Sequence, residues 1–473
     1  MLQKEPLTEQ AKSFKGLNIA GIENTVLATI VNKKVLDVKE LKVNGKRTAP
    51  LVSFKKALSD RTKKNFILEC KKSSPTLGNF CKDFDLDKIT DCYNTRAAAI
   101  SVLCEKHFFN GSSEYLSYVK SKTDLPVLYK DFVICKEQID DAYVSGADAV
   151  LLMLSLLEND TYLSLYSYAK SLNLDVLTEV DNEQQAKFAK EHNIDIVGIN
   201  NRDLRTLKID ISNAKKIAKI FDTDTIVVSE SGINEHSDLF YLKEISCFLI
   251  GSSLTKSDDI VFKANSMLYG TNKICGITTK EALSAAIDVH ASIAGFIFFE
   301  KSVRNISIEK ATEFASFARG KIRFAGVFVN ESLDTVVKIA KEVGLDYIQL
   351  HGSEDLEYIY KLKNTLPKIK IIKALNIESS DDFSKIDYYN DSCEYIILDS
   401  KAPGSGSSFD WNSIPDCVNK NKILLSGGIG IDNVEKALSF GFAGLDLNSK
   451  LEETKGIKSV TKILNTFRVI NNF

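Results

Sequence analysis

From residue 65 to its end the chain repeats one pattern: a short apolar or β-branched run, a polar turn, then a helical stretch. That recurrence admits few folds. The first eight runs are 66–72, 98–105, 126–132, 149–155, 175–180, 196–203, 225–231 and 247–253. A spacing of roughly 25 residues suits a strand plus the helix that carries the chain back to a parallel neighbour. Eight such units close into a (β/α)8 barrel. The pattern then starts again at 272–278, 294–300, 323–329, 347–352, 370–375, 395–400, 422–427 and 444–449. The expected fold class is therefore α/β, two consecutive (β/α)8 TIM barrels. A single open, doubly wound sheet of sixteen strands is the alternative; strand number and unit length favour two barrels.

The expected domains are an N-terminal extension, 1–24, loosely attached; a first barrel, 25–270; and a second, 271–473. Val26, Leu27, Ile30, Val31 and Val35 fall at helical spacing and predict an amphipathic helix within 25–46. The joint is expected at Gly270 to Asn272, without a Gly/Ser- or Pro-rich linker, so the barrels are expected to abut. At 44% hydrophobic residues the chain can bury large cores. Its net charge is −2, and no block of like charge offers a surface for nucleic acid or an anionic membrane. The nine cysteines form no C-x-x-C pair, which suits reduced thiols and a cytoplasmic location. With five histidines and no H-E-x-x-H, no metal or other cofactor is expected. No secretory signal and no membrane-length apolar run is read. Small-molecule partners and a monomer are expected.

Barrel active sites lie at the C-terminal strand ends. In FILECKKSSP, residues 66–75, alternation puts Ile67, Glu69 and Lys71 on one face and Phe66, Leu68 and Cys70 on the other. An apolar residue, then Glu, then Lys describes a strand whose end enters a polar cavity. The ordinary alternative is an exposed edge strand with solvated charges. The ends of the first eight runs supply Glu69, Lys71, Lys130, Glu179, Asn200, Arg202, Glu230 and Ser231. Any one of these reads as a rim salt bridge; together they read as charge converging on one mouth. Ser231-Gly232 and Gly251-Ser252 close the last two runs. Small residues there let backbone N–H groups and a helix N-terminus hold a phosphate, although a simple turn uses the same residues. Ser74 would add a hydroxyl. The second set ends in Cys275, Arg304, His351, Asp399, Gly427-Gly428 and Asn448-Ser449. A cysteine such as Cys275 is ordinarily a buried structural one.

FILECKKSSP, AISVLCE, KDF, LLMLS, LTEV, VGINNRDL, SESGI and FLIGSS, in this order, resemble indole-3-glycerol phosphate synthase over about residues 25–268. KICGIT, IFFEKSVR, GVFVN, QLHG, LDS, GSGSSFDW, LSGGI and GLDLNS resemble phosphoribosylanthranilate isomerase over about 272–473. Synthase then isomerase in one chain resembles the fused bifunctional enzyme of bacterial tryptophan biosynthesis.

For the first half the resemblance implies an indole ring closure with loss of CO2 and water. The substrate would be 1-(2-carboxyphenylamino)-1-deoxyribulose 5-phosphate. Lys130 and Lys71 are both general-acid candidates, and Glu179 is the base candidate. Glu69 would orient Lys130 and the leaving hydroxyl, Asn200 and Ser231 would position substrate, and Arg202 has the fork suited to a carboxylate. Two lysines in one mouth are expected to lower each other's proton affinity. Phe132 would pack on the aromatic ring, or simply be core. For the second half the resemblance implies Cys275 as general base, which needs a nearby positive charge or a helix N-terminus, and Asp399 as general acid, kept protonated by partial burial. Arg304 would take the anthranilate carboxylate. His351, Gly404, Gly406, Gly427, Gly428, Asn448 and Ser449 would line the substrate and phosphate site, His351 otherwise being a satisfied rim histidine. Trp411 fits a structural loop anchor. Leu77, Cys104, Val303 and Pro403 depart from the family's usual Lys, Thr, Pro and Gly. Another pair of phosphate-binding barrels, of histidine-pathway isomerase or aldolase type, would not explain the lysine–glutamate ring and the Cys/Asp pair. A non-catalytic binding protein would not retain every catalytic side chain.

Overall fold

The structure is a computed structural model that describes residues 4–81, 84–400 and 409–473. It contains two closed eight-stranded parallel barrels in succession, so the single open sheet is excluded. The chain separates into two compact units, Met1–Asn234 with Leu242–Ile260, and Glu235–Tyr241 with Val261–Phe473.

The first barrel comprises β1 (Asn65–Cys70), β2 (Ala99–Leu103), β3 (Val127–Lys130), β4 (Ala149–Met153), β5 (Asp175–Val180), β6 (Ile196–Asn200), β7 (Ile226–Glu230) and β8 (Cys247–Ile250). Closure is set by β1, where Ile67 pairs with Leu249 on one side and Ala99 on the other. The edge-strand reading of β1 therefore fails, since both its edges are hydrogen-bonded. Each expected run holds one strand, because strands buried on both faces read as nearly continuous apolar stretches. The expected runs extend too far where polar residues bend the chain away. After β6, the Asn200 side-chain oxygen accepts the Arg202 N–H at 2.9 Å and turns Arg202 into the mouth.

Three helices precede β1: α1 (Glu9–Lys12), α2 (Val26–Glu40) and α3 (Phe54–Leu58). Thr25 caps α2 by accepting the Ala28 N–H. The helix stops before the expected limit of 46 because Leu41 is extended. The extension is not loosely attached, a correction to the sequence reading. Thr8 N–H donates to Asn32 Oδ1 at 2.8 Å, and Asn32 Nδ2 donates to the Pro6 carbonyl at 2.8 Å. Leu7, Ala11, Leu17 and Ile22 are buried. These anchors follow no helical or strand period, so pattern reading passes over them.

The second barrel comprises β9 (Lys273–Cys275), β10 (Ile293–Ile297), β11 (Arg323–Phe328), β12 (Tyr347–Leu350), β13 (Lys370–Ile377), β14 (Tyr395–Ser400), β15 (Ile423–Leu425) and β16 (Gly444–Leu447). Strand β9 pairs with β10 and β16, which closes it. Its core is built on Ile293, Tyr347, Ile372, Ile397 and Leu424, and a smaller cluster of Cys275, Ile297 and Val327 forms the floor of the mouth.

The two barrels end alike. Gly251 follows β8 with φ −133° and ψ −86° and leads into the short helix Ser252–Thr255. Asn448 follows β16 with φ −141° and ψ −96° and leads into a turn of 3-10 helix, Ser449–Leu451. Among the described residues no helix is long and apolar enough to cross a membrane.

Candidate active sites

Every first-half residue proposed from sequence lines one cavity at the C-terminal ends of β1–β8: Glu69, Lys71, Ser74, Lys130, Phe132, Glu179, Asn200, Arg202, Ser231, Gly232, Gly251 and Ser252. Glu69 is 2% exposed and holds Lys71 Nζ at 2.5 Å. Lys130 Nζ lies 2.7 Å from Glu230 Oε2 and 3.8 Å from Glu69 Oε2. Two glycines make room for these acids. A Cβ at Gly198 would overlap Glu230 Oε1, and one at Gly251 would overlap Glu69 Oε1. Ser231 and Gly232 both have positive φ, 65° and 87°, so the chain after β7 curls back over the mouth.

The charges set one another's protonation. Burial pushes the Glu179 carboxyl up to about 8, helped by the neighbouring Glu230 and opposed by Lys130 and an Asn200 hydrogen bond. Burial alone would lower the proton affinity of Lys130; Glu230, then Glu69 and Glu179, more than reverse this and hold it above the ordinary lysine value. The expectation that paired lysines lower each other is therefore corrected for Lys130, since three carboxylates surround it. Arg202 behaves oppositely: half-buried with no carboxylate partner among the described residues, its guanidinium is lowered by desolvation. A half-buried arginine of that kind fits an anion arriving with substrate.

Two parts of this mouth were missed as site residues. Glu230 stood in the sequence-derived ring without a role, yet it makes the shortest contact to Lys130. Val26, Leu27 and Ile30 of α2 also line the cavity, as does Phe109, whose ring centroid is 6.3 Å from that of Phe132. The signal for Phe109 was an aromatic pair, Phe108-Phe109, in a turn segment.

In the second barrel Cys275, Arg304, His351, Asp399, Gly427, Gly428, Asn448 and Ser449 line one cavity. Gly404 and Gly406, with Pro403, lie outside the described residues. Lys273, two residues before Cys275 on the same strand face, is fully buried with Nζ 2.8 Å from Asp446 Oδ1. Gly295 leaves it that space, since a Cβ there would meet Nζ at 3.1 Å. Burial raises the Cys275 thiol; Lys273 pulls it down, Asp446 pushes it up, and Lys458 adds a smaller downward pull. The positive charge expected near this cysteine is Lys273, recognisable in sequence only by its spacing from Cys275. His351 is not a satisfied rim residue. Its Nδ1 meets Gln349 at 3.1 Å, while Nε2 has no hydrogen-bond partner and stands 3.6 Å from Asp399 Oδ2. Burial lowers its proton affinity. The Arg304 fork is engaged bidentately by Glu452 at 2.6 and 3.0 Å, and Lys458 reaches the same carboxylate at 2.9 Å. Trp411 is a loop anchor, its ring N–H donating to the Ser426 carbonyl at 3.2 Å beside Gly427. Among the described residues no group of three His, Cys, Asp or Glu side chains is placed to hold a metal ion.

The sequence model of indole-3-glycerol phosphate synthase matches residues 22–267, and that of N-(5'phosphoribosyl)anthranilate (PRA) isomerase matches residues 272–469. Tryptophan biosynthesis protein TrpCF of Helicobacter pylori strain 26695 is 39% identical over 95% of this chain and 100% of its own. The protein of the same name from Haemophilus influenzae is 37% identical over 94% of this chain and 97% of its own. Among solved structures, phosphoribosyl anthranilate isomerase from Thermus thermophilus is similar to 42% of this chain over 96% of its own, at 30% identity and a TM-score of 0.39.

Proposed function

Since the chain belongs to the indole-3-glycerol phosphate synthase family in its N-terminal half and the phosphoribosylanthranilate isomerase family in its C-terminal half, we propose a role for each side chain at the two mouths. The chain is a bifunctional enzyme of tryptophan biosynthesis. Its C-terminal half isomerises N-(5-phosphoribosyl)anthranilate to 1-(2-carboxyphenylamino)-1-deoxyribulose 5-phosphate. Its N-terminal half closes that aminoketone, with loss of CO2 and water, to indole-3-glycerol phosphate.

The observation that carries the synthase roles is Lys130 clasped by Glu230 and Glu69 in the cavity that also holds Glu179. Lys130 is the acid for the ketone oxygen. Lys71 stands across Glu69 as the second cation, and Glu179 is the base. Arg202 receives the aromatic carboxylate, Asn200 and Ser231 orient the chain of the sugar, and Phe132 packs on the ring. Ser74, Gly232, Gly251 and Ser252 take the phosphate. In the isomerase Cys275 removes the C2′ proton and Asp399 protonates the furanose oxygen, with His351 beside Asp399. Arg304 meets the anthranilate carboxylate from a position fixed by Glu452. Gly404, Gly406, Gly427, Gly428, Asn448 and Ser449 form its phosphate site.

One expected outcome follows from Glu179. A base must shed its proton before it works, and this carboxyl holds one up to about pH 8. Synthase kcat/KM should therefore rise with pH, with its inflection near that value and not near the ordinary carboxylate range. A pH–rate profile flat from pH 6 to 9 would remove Glu179 from this role.

The domains are 1–24 as extension, 25–270 as synthase and 271–473 as isomerase, in a cytoplasmic monomer with no nucleic-acid or membrane partner. Each barrel closes its own sheet and buries its own core. Fragments divided after Gly270 should each be soluble and keep one activity, measured separately on the two substrates. Insolubility of both fragments would sink this division.

A further inference from the structure

The helix that walls the synthase mouth is tied there by charge. Val26, Leu27 and Ile30 of α2 face the cavity. Lys34 continues that face one turn on, where another apolar residue would complete the stripe. Its side chain is 5% exposed, and Nζ lies 2.6 Å from Oδ1 of Asp131, which is 4% exposed. Asp131 sits between Lys130 and Phe132 in sequence. The same Oδ1 accepts the Phe132 N–H at 2.7 Å, and the Tyr129 hydroxyl donates to Oδ2 at 3.4 Å. One carboxylate therefore joins α2 to the stretch of backbone that presents both the catalytic lysine and the ring-packing phenylalanine.

A second tie repeats the arrangement on the neighbouring loop. Asp37, three residues beyond Lys34, lies 2.9 Å from His107 Nε2 and 2.9 Å from Lys106 Nζ. That loop is folded around Glu105, whose carboxylate accepts the N–H groups of His107, Phe108 and Phe109. It delivers Phe109 to the cavity. The helix thus carries its apolar wall and both of its fastenings on successive turns.

Buried ion pairs are weak evidence of stabilisation, because well-packed apolar residues often replace them at no loss. What the pair supplies over a methionine and a leucine is a fixed direction. We propose that Lys34, acting through Asp131, is a positioning residue for ring closure: it fixes the N-terminal helix against the end of β3 so that Lys130 and Phe132 meet substrate in one arrangement. This rests on reading the first mouth as the site of ring closure.

The test is steady-state kinetics on the whole chain with supplied aminoketone. Lys34→Met should raise KM, lower kcat and reduce synthase kcat/KM by roughly 10- to 100-fold, the scale of a small misplacement near reacting groups. Isomerase turnover in the same protein should not change. Lys34→Arg keeps the contact and should recover most of the loss. If Lys34→Met does not fold, Lys34→Met with Asp131→Asn strands no charge and should show the same synthase-specific defect. Parent-like kcat and KM in a folded Lys34→Met or double variant overturn the inference. So does a fall in kcat alone, in proportion to the unfolded fraction seen by circular dichroism. Lys130→Met separates the two levels: if it leaves ring closure intact, the reading of the mouth fails, whereas a dead Lys130→Met beside neutral Lys34 variants defeats only the positioning role.

Discussion

Lys130→Met is expected to close the indole ring roughly 100 to 10,000 times more slowly than the parent chain, the range over which a positioned general acid acts. That corresponds to about 2.7–5.4 kcal/mol of lost transition-state stabilisation. Methionine keeps most of the bulk and removes the charge, so packing of the mouth is largely retained. Glu230 loses its partner at 2.7 Å, while Glu69 keeps Lys71 at 2.5 Å. Glu179, already raised to about 8 by burial and by Glu230, loses the lysine that opposed that rise. The base should thus weaken at neutral pH together with the loss of the acid, and any residual activity should recover at more alkaline pH. Isomerase turnover on phosphoribosylanthranilate is the internal control and should match the parent. Near-normal ring closure in the folded variant would hand the proton to Lys71.

Cys275→Ser should lose isomerase activity on a similar scale, roughly 100-fold or more, while still closing the ring of supplied aminoketone. A hydroxyl is far harder to deprotonate than a thiol. The thiol itself starts at a disadvantage, since burial raises it and Asp446 adds to the rise. Lys273, fully buried beside it, is the main group that opposes both. The base form therefore grows as pH rises, so the rising limb of the isomerase pH–rate profile belongs to Cys275 and should disappear in the serine variant. Near-normal isomerase turnover in Cys275→Ser would place the base elsewhere.

The barrels were legible in sequence because a parallel strand buried on both faces announces itself as an apolar run, and its terminal charges then mark the mouth. Lys273 shows where that reading stops. It opens a strand like any other lysine, and only closure of the barrel puts it in register with Asp446. Glu452 is similar: it follows the last barrel strand in a small hairpin, outside any periodic signal, yet it occupies the fork of Arg304. The sign of the Lys130 shift was misread for a related reason. Sequence order shows that two lysines share a mouth, but not that Glu230 comes within 2.7 Å of Lys130. The N-terminal segment reads as loose because its anchors are backbone N–H groups, of Glu5 and Thr8, that donate to single side chains, Thr29 and Asn32, of a helix 24 residues later.

Gly198 and Gly251 hold a different kind of information. Neither needs a left-handed backbone, and neither forms a turn that only glycine can make. Each is a vacancy cut to the outline of one carboxylate, Glu230 in the first case and Glu69 in the second. The four positions are therefore epistatic in pairs. Alanine at 198 asks for a shorter acid at 230, and alanine at 251 asks the same at 69; either change made alone meets a filled space. A route through sequence space that fills either glycine must shorten the facing acid first or at the same step.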